Sequence, residues 1–166
     1  MKNRIALASY FAELGFRIGA EIGVATGRYS EILYQKIPGL ELICVDTFQR
    51  EGHYEECFNK LLKYTPTIYK MKSMEAVLKV PDESLDFVFI DGNHKFDYVM
   101  EDIIGWARKV RKKGVVSGHD YYHFHESGVI EAVNKYCEIH RLQLHLTNWD
   151  FEGHKDDRCP SWWIEK

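Results

Sequence analysis

Hydrophobic positions along the chain recur in two alternating periods. Leu7, Tyr10, Phe11 and Leu14 fall three and four residues apart and predict a first amphipathic helix. "GAEIGV" (19–24) is a strand pattern running into "ATG", and "RYSEILYQKI" (28–37) is a helix stopped by Pro38 and Gly39. "LELICVD" (40–46) and "LDFVFIDG" (85–92) are apolar-rich runs, as expected of strands buried on both faces. Between them lie a helical stretch over Tyr54–Tyr64 and a short strand, "TIYK" (67–70). Phe96, Val99, Ile103, Ala107 and Val110 give the clearest helix, predicted to close at Gly114. There follow a strand, "GVVSGHD" (114–120), and a helix carrying Val129, Ile130, Val133 and Tyr136, with Ser127 as its N-cap. Residues 149–160 hold no helical pattern, so the strands "LQLHLTN" (142–148) and "SWWIEK" (161–166) are predicted antiparallel neighbours. The earlier strands are parallel through helical crossovers. The expected fold is α/β: an open, mostly parallel sheet with an antiparallel last strand and helices on both faces.

Composition narrows the function classes. With 45% hydrophobic and 28% charged residues the chain is globular, and without repeats or linkers it reads as one domain over residues 1–166. A net charge of −3 argues against a phosphate-coating nucleic-acid binder. The basic run Arg108–Gly114 reads as a helix end whose cations complement the dipole. The cysteines Cys44, Cys57, Cys137 and Cys159 form no CxxC pair, which fits a reducing, cytoplasmic setting. No signal-peptide pattern is present, and no apolar run approaches the roughly 20 residues of a membrane span. Neither a nucleic acid nor a membrane is expected as partner.

Ligands of such sheets bind beyond the carboxyl ends of the strands. Those ends read "EIGVATG", "VDTF", "KSME", "IDGNH" and "GHDYY". Gly23 and Gly27, with Ala25 between them, let the backbone approach a ligand at a helix start. Asp46, followed by Thr47, ends the second strand, where a carboxylate can take both hydroxyls of a ribose. The turn is ExGxxxG rather than GxGxxG, so a nucleoside fits better than a dinucleotide. Asp91 and His94 follow the fourth strand, and His119 and Asp120 end the next; if those strands are neighbours, the four converge on one pocket wall.

In the order "EIGVATGRYS", "LICVDTF", "KSMEAV", "DFVFIDGNHKFDYVMEDI", "KKGVVSGHDYY" and "GVIEAV", the chain resembles class I S-adenosylmethionine-dependent methyltransferases. It is most similar to small-molecule O-methyltransferases of the catechol and macrocin type. The resemblance implies a seven-stranded Rossmann-like sheet, S-adenosyl-L-methionine as cofactor and a small hydroxylated acceptor of sugar or natural-product type. Carried over, Glu21 and Gly23 line the methionine end, Asp46 holds the ribose, and Ser73 and Met74 flank the adenine. Ala25, Gly27, Thr47 and Asp91 complete that site. Asp91, His119 and Asp120 would hold a divalent metal, Mg or Mn, and His94 would remove the hydroxyl proton. The catechol-type pattern has an Asp–Asn pair where this chain has His119–Asp120. Imidazole suits Mn²⁺, Fe²⁺ or Zn²⁺ better than Mg²⁺, so either His119 is no ligand or the metal differs.

Around this centre, Tyr121 and Tyr122 are expected to wall the acceptor site, with His123 and His125 as loop or acceptor-pocket residues. His53 and Tyr54 can reach over a cofactor, while Trp162 and Trp163 read as strand packing. No insertion is long enough for a lid, so the acceptor cleft is open to a bulky substrate or covered by a partner subunit; a homodimer is the expected assembly. The turn "DGNH" lacks the Pro-Pro-aromatic clamp of amino-methyltransferases acting on nucleic acid. Two other readings remain. Asp120, His94 and His119 as an iron site would make an oxygenase or hydrolase. A nucleoside-binding domain without turnover would keep only the first half of the site.

Overall fold

The alternation of periods becomes an alternation of elements in the computed structural model, which describes all of residues 1–166. The helices are α1 (Arg4–Glu13), α2 (Arg28–Lys36), α3 (His53–Leu61), α4 (Ser73–Ala76), α5 (Phe96–Ala107) and α6 (Val129–His140). The strands are β1 (Ile18–Ile22), β2 (Glu41–Asp46), β3 (Thr67–Lys70), β4 (Leu85–Ile90), β5 (Val110–Gly118), β6 (His145–Leu146) and β7 (Trp162–Glu165). They form a seven-stranded sheet in the order β3-β2-β1-β4-β5-β7-β6. Strands β1 to β5 run parallel, β7 is antiparallel to β5, and β6 is antiparallel to β7. The order reverses between β1 and β4, so a crevice opens there at the carboxyl ends.

Strand parity divides the core. Ala20, Ile22, Val88, Ile90 and Val116 face Ile103, Trp106 and Val133 of α5 and α6. Cys44, Phe87, Phe89 and Val115 face Leu7, Phe11, Tyr29 and Leu33 of α1 and α2. Trp162 and Trp163 are buried in β7, one on each side, as strand packing requires. No helix is long and apolar enough to cross a membrane.

Three local expectations need correction. The helix read from Phe96 to Gly114 ends at Ala107, and the basic run belongs to β5. Val110 continues the helical spacing by coincidence: it is fully buried and pairs with Leu85 in the ladder. Lys112 and Lys113 bulge out before pairing resumes at Val115. Gly128, rather than Ser127, caps α6, because a Cβ there would lie 2.6 Å from Phe96. The strand expected over 142–148 shrinks to two residues, and "KSME" opens the short α4.

Candidate functional site

A cleft of about 780 Å³ opens at the crevice, within the range of small-molecule sites. One wall is built by the turn after β1. Gly23 has φ 90°, and a Cβ there would lie 2.0 Å from the Asp91 carbonyl, so only glycine lets the ends of β1 and β4 meet. Asp46 ends β2 and accepts from the backbone N–H of Ala25 at 2.8 Å and of Phe48 at 2.6 Å. Those bonds lock the carboxylate, one to each oxygen, and leave each oxygen free to accept once more. Thr47, His53, Ser73 and Met74 also line the cleft. Ser73 accepts from Trp106 Nε1 at 2.8 Å and donates to Asp102.

Two expected members of this wall lie elsewhere. Glu21 is 1% exposed, one residue out of phase with Ile22, and so points to the α1–α2 side. There its carboxyl accepts from Ser30 at 2.5 Å, and burial pushes its pKa up to about 8, so it is mainly protonated at neutral pH. Gly27 stands behind the turn, where a Cβ would meet Cys57 and Leu61 at 3.2 Å. Tyr54 packs on Phe48 and Phe58 instead of reaching over the cleft.

The opposite wall carries the ionisable groups. His94 Nε2 lies 2.7 Å from Asp120 and 3.8 Å from Asp91. These donor atoms fall within 4.8 Å of one another. Asp120, then Asp91, raise the imidazole pKa to about 9, although the ring leaves Nε2 without an aligned hydrogen bond. Burial pushes the Asp120 carboxyl up, but His119 and His94 outweigh it and hold the group well below the usual carboxylate range. Asp91 and His94 line the cleft; Asp120 reaches it through His94.

His119 does not join Asp91, contrary to the expected ligand trio. It has the parity of Ser117, is 5% exposed, and lies against Phe89 on the α1–α2 side. Its partners are Asp120, at 3.1 Å from Nδ1, and Cys159. The Cys159 sulfur sits 3.6 and 3.7 Å from the two ring nitrogens and donates to Asp120 at 3.0 Å. The donor atoms of this trio also lie within 4.8 Å of one another, so Asp120 stands between two donor sets, one with His119 and Cys159 and one with Asp91 and His94. The two-histidine, one-carboxylate iron site is likewise not assembled, since His94 and His119 belong to separate donor groups.

Sequence reasoning missed what supports Asp91. Arg4 donates to Asp91 at 3.0 Å and to Asp157 at 2.7 Å. Asp157, fully buried, also takes a two-pronged pair from Arg28 at 2.8 and 2.5 Å. Positive and negative groups therefore alternate: Arg28, Asp157, Arg4, Asp91, His94, Asp120. Burial opposes the charge on Arg4, but Asp91 and Asp157 outweigh it. Arg4 lies on the same helical stripe as Leu7, Ala8 and Phe11, and a cation on an apolar face was the available signal. Tyr122 stacks with Phe124 and meets Trp149 edge-on, and Phe124 meets the His94 ring at 5.3 Å. Tyr121 turns away to Asn134.

Residues 20–121 match the family model described as a methyltransferase domain. The O-methyltransferase from Bacillus cereus, solved in complex with SAH, is 14% identical with a TM-score of 0.75, covering 98% of this chain and 80% of that one. The O-methyltransferase TomG from Streptomyces achromogenes, involved in tomaymycin synthesis and solved with SAM, is 16% identical with a TM-score of 0.70, covering 98% and 79%. An rRNA methylase from Streptococcus thermophilus is 14% identical with a TM-score of 0.73, covering 100% and 98%. At such identities the likeness is one of fold. No curated protein matches the sequence.

Proposed function

The chain belongs to the methyltransferase-domain family, as a class I S-adenosylmethionine-dependent methyltransferase, and from that premise we propose that it methylates a hydroxyl oxygen of a small molecule. The observation that carries this reading is the single cleft in which a nucleoside wall faces Asp91 and His94. Asp46, pre-set by two backbone N–H groups, takes the ribose hydroxyls. Gly23 and Ala25 bring the backbone under the sulfonium end, and Ser73 and Met74 flank the base. The two O-methyltransferases of like fold bind SAH and SAM in their crystals, which supports the cofactor assignment. The net charge of −3 and the turn "DGNH" favour a small acceptor over RNA.

The acceptor oxygen attacks the methyl carbon in line, the S–CH₃ bond breaks toward sulfur, and the hydroxyl proton must leave. Holding both reactants in that line supplies most of the rate. His94 takes the proton, but not in the state described above, where it already holds one up to about pH 9. The two carboxylates, Asp91 and Asp120, would hold a divalent cation, Mg or Mn, as hard oxygen donors within 4.8 Å of each other. When bound, such a cation lowers the pKa of the acceptor hydroxyl. Asp120 and Asp91 are what raise the imidazole, so engaging those carboxylates elsewhere would lower it and free His94 to take the proton. Arg4 keeps Asp91 oriented by holding one of its oxygens.

The test is methyl transfer from S-adenosylmethionine to a panel of sugar and phenolic hydroxyls, with EDTA and with His94→Ala. Transfer is expected in the wild type, lost in the variant, and suppressed by EDTA until Mn²⁺ is restored. Full transfer by His94→Ala would remove the base from the account; binding of S-adenosylhomocysteine without transfer to any acceptor would favour a binding domain.

A further inference from the structure

Asp120 faces two ways. Its Oδ2 lies 2.7 Å from His94 Nε2 at the cleft, while its Oδ1 lies 3.1 Å from His119 Nδ1 and 3.0 Å from the Cys159 sulfur. Methyl transfer as described above draws only on the first side. On the second, a thiol, an imidazole and a carboxylate hold their donor atoms within 4.8 Å of one another. His119 and Cys159 are both buried, so the trio is shut away from bulk water. All four cysteines of the chain are free, and Cys159 is the one whose sulfur meets an imidazole and a carboxylate.

We propose that Cys159, His119 and Asp120 form a second cation site, behind Asp120 as seen from the cleft, that takes a borderline-soft divalent ion of the zinc class. The site does not depend on the methyl-transfer reading. Spacing is the first support. Around a tetrahedral zinc ion, sulfur, nitrogen and oxygen ligands stand about 3.3–3.6 Å apart. Here sulfur to Nδ1, sulfur to Oδ1 and Nδ1 to Oδ1 measure 3.6, 3.0 and 3.1 Å. The sulfur is almost as close to Nε2, at 3.7 Å, and a turn of the ring about its soft χ2 aims Nδ1 at the ion. Donor chemistry is the second support: thiolate and imidazole suit zinc or ferrous iron, whereas carboxylates and water suit Mg²⁺ and Mn²⁺. Asp120 thereby separates two kinds of cation, a hard one in the cleft with Asp91 and a softer one behind it. On binding, the Cys159 S–H that now donates to Asp120 loses its proton to solvent, and a sulfur–metal bond replaces the hydrogen bond. Three protein ligands leave one position for a water. The ion joins the end of β5 to the segment entering β7, 40 positions away, and so braces the stretch that carries Asp157.

The experiment titrates Co²⁺, a spectroscopic stand-in for zinc, into the chelator-stripped protein and follows absorption and melting temperature. In the wild type a single equivalent is expected to give a sulfur-to-cobalt charge-transfer band that Zn²⁺ bleaches, and either ion to raise the melting temperature. Cys159→Ser is expected to abolish the band, and His119→Gln to weaken cobalt binding at least tenfold, the least that loss of even a supporting residue costs. Asp91→Asn is expected to keep the band, since its carboxylate belongs to the cleft side. Absence of the band in the wild type would overturn the proposal whatever the variants do, and would leave the trio a hydrogen-bonded packing contact. A band that persists in Cys159→Ser, or one that vanishes in a folded Asp91→Asn, would overturn it as well.

Discussion

The two walls of the cleft are built in different ways. The wall around Asp46 is mostly local: Asp46 is locked by Ala25 and Phe48 at the ends of neighbouring strands, and Ser73 is braced by Asp102 and Trp106 of α5. The reacting wall is assembled from both ends of the chain. Arg4 lies 87 positions from Asp91 and 153 from Asp157, and Cys159 reaches back 39 positions to Asp120. One wall therefore needs only the sheet to form, whereas the other needs a buried chain of six alternating charges to close. The difference predicts that binding and reaction can be broken separately in this molecule.

The largest separation should come from His94→Ala. It removes the base and is expected to lower the rate of methyl transfer by about 10²–10⁴. Any loss of stability in this variant should be confined to pH values below about 9, where the wild-type ring is paired with Asp120 and Asp91. Loss of cofactor affinity in that variant would mean the walls are not independent.

Arg4→Met breaks the reacting wall from behind. It leaves Asp91 with only the more distant His94 and the fully buried Asp157 with Arg28 alone. Breaking such a pair costs about 3–5 kcal/mol, to be read from urea midpoints. A cost below about 1 kcal/mol would show that the network is a solvated surface pair and not a built support.

A smaller effect is expected from pH. Pairing with Asp120 and Asp91 raises His94 from 6.5 to about 9, so its contribution to stability is complete below pH 6.5 and lost as pH rises through 9. Asp120 is shifted the other way: its contribution is present above its ordinary 3.8 and lost only as pH falls well below that value. In EDTA the wild type should therefore lose stability between pH 6.5 and 9.5, and His94→Gln should lose less. Identical pH profiles for the two would contradict the charged pair.

The sheet and the strand-end residues that line the cleft were legible because strand ends carry their chemistry in contiguous residues. "IGVATG", "VDTF" and "KSME" each announce a turn and its polar group in place. What misled was parity. Glu21 and His119 sit in strand-end motifs but are one residue out of phase with the cleft, and the alternation of "GAEIGV" and "VVSGHD" already contained that fact. Val110 deceived in the opposite sense, by prolonging a helical spacing into a strand. Arg4 and Asp157 were unreadable as a pair, since nothing local connects a cation on an apolar helix stripe with an acid in an irregular segment. Only the folded sheet brings β1, β4 and the approach to β7 together.

The central claim is that one wall binds the cofactor and the other reacts. It is tested most directly by measuring S-adenosylhomocysteine affinity side by side in Asp46→Ala and His94→Ala, by calorimetric titration. The account predicts at least a tenfold loss of affinity in Asp46→Ala and a change of less than about threefold in His94→Ala. Unchanged affinity in Asp46→Ala, or the larger loss in His94→Ala, would contradict it.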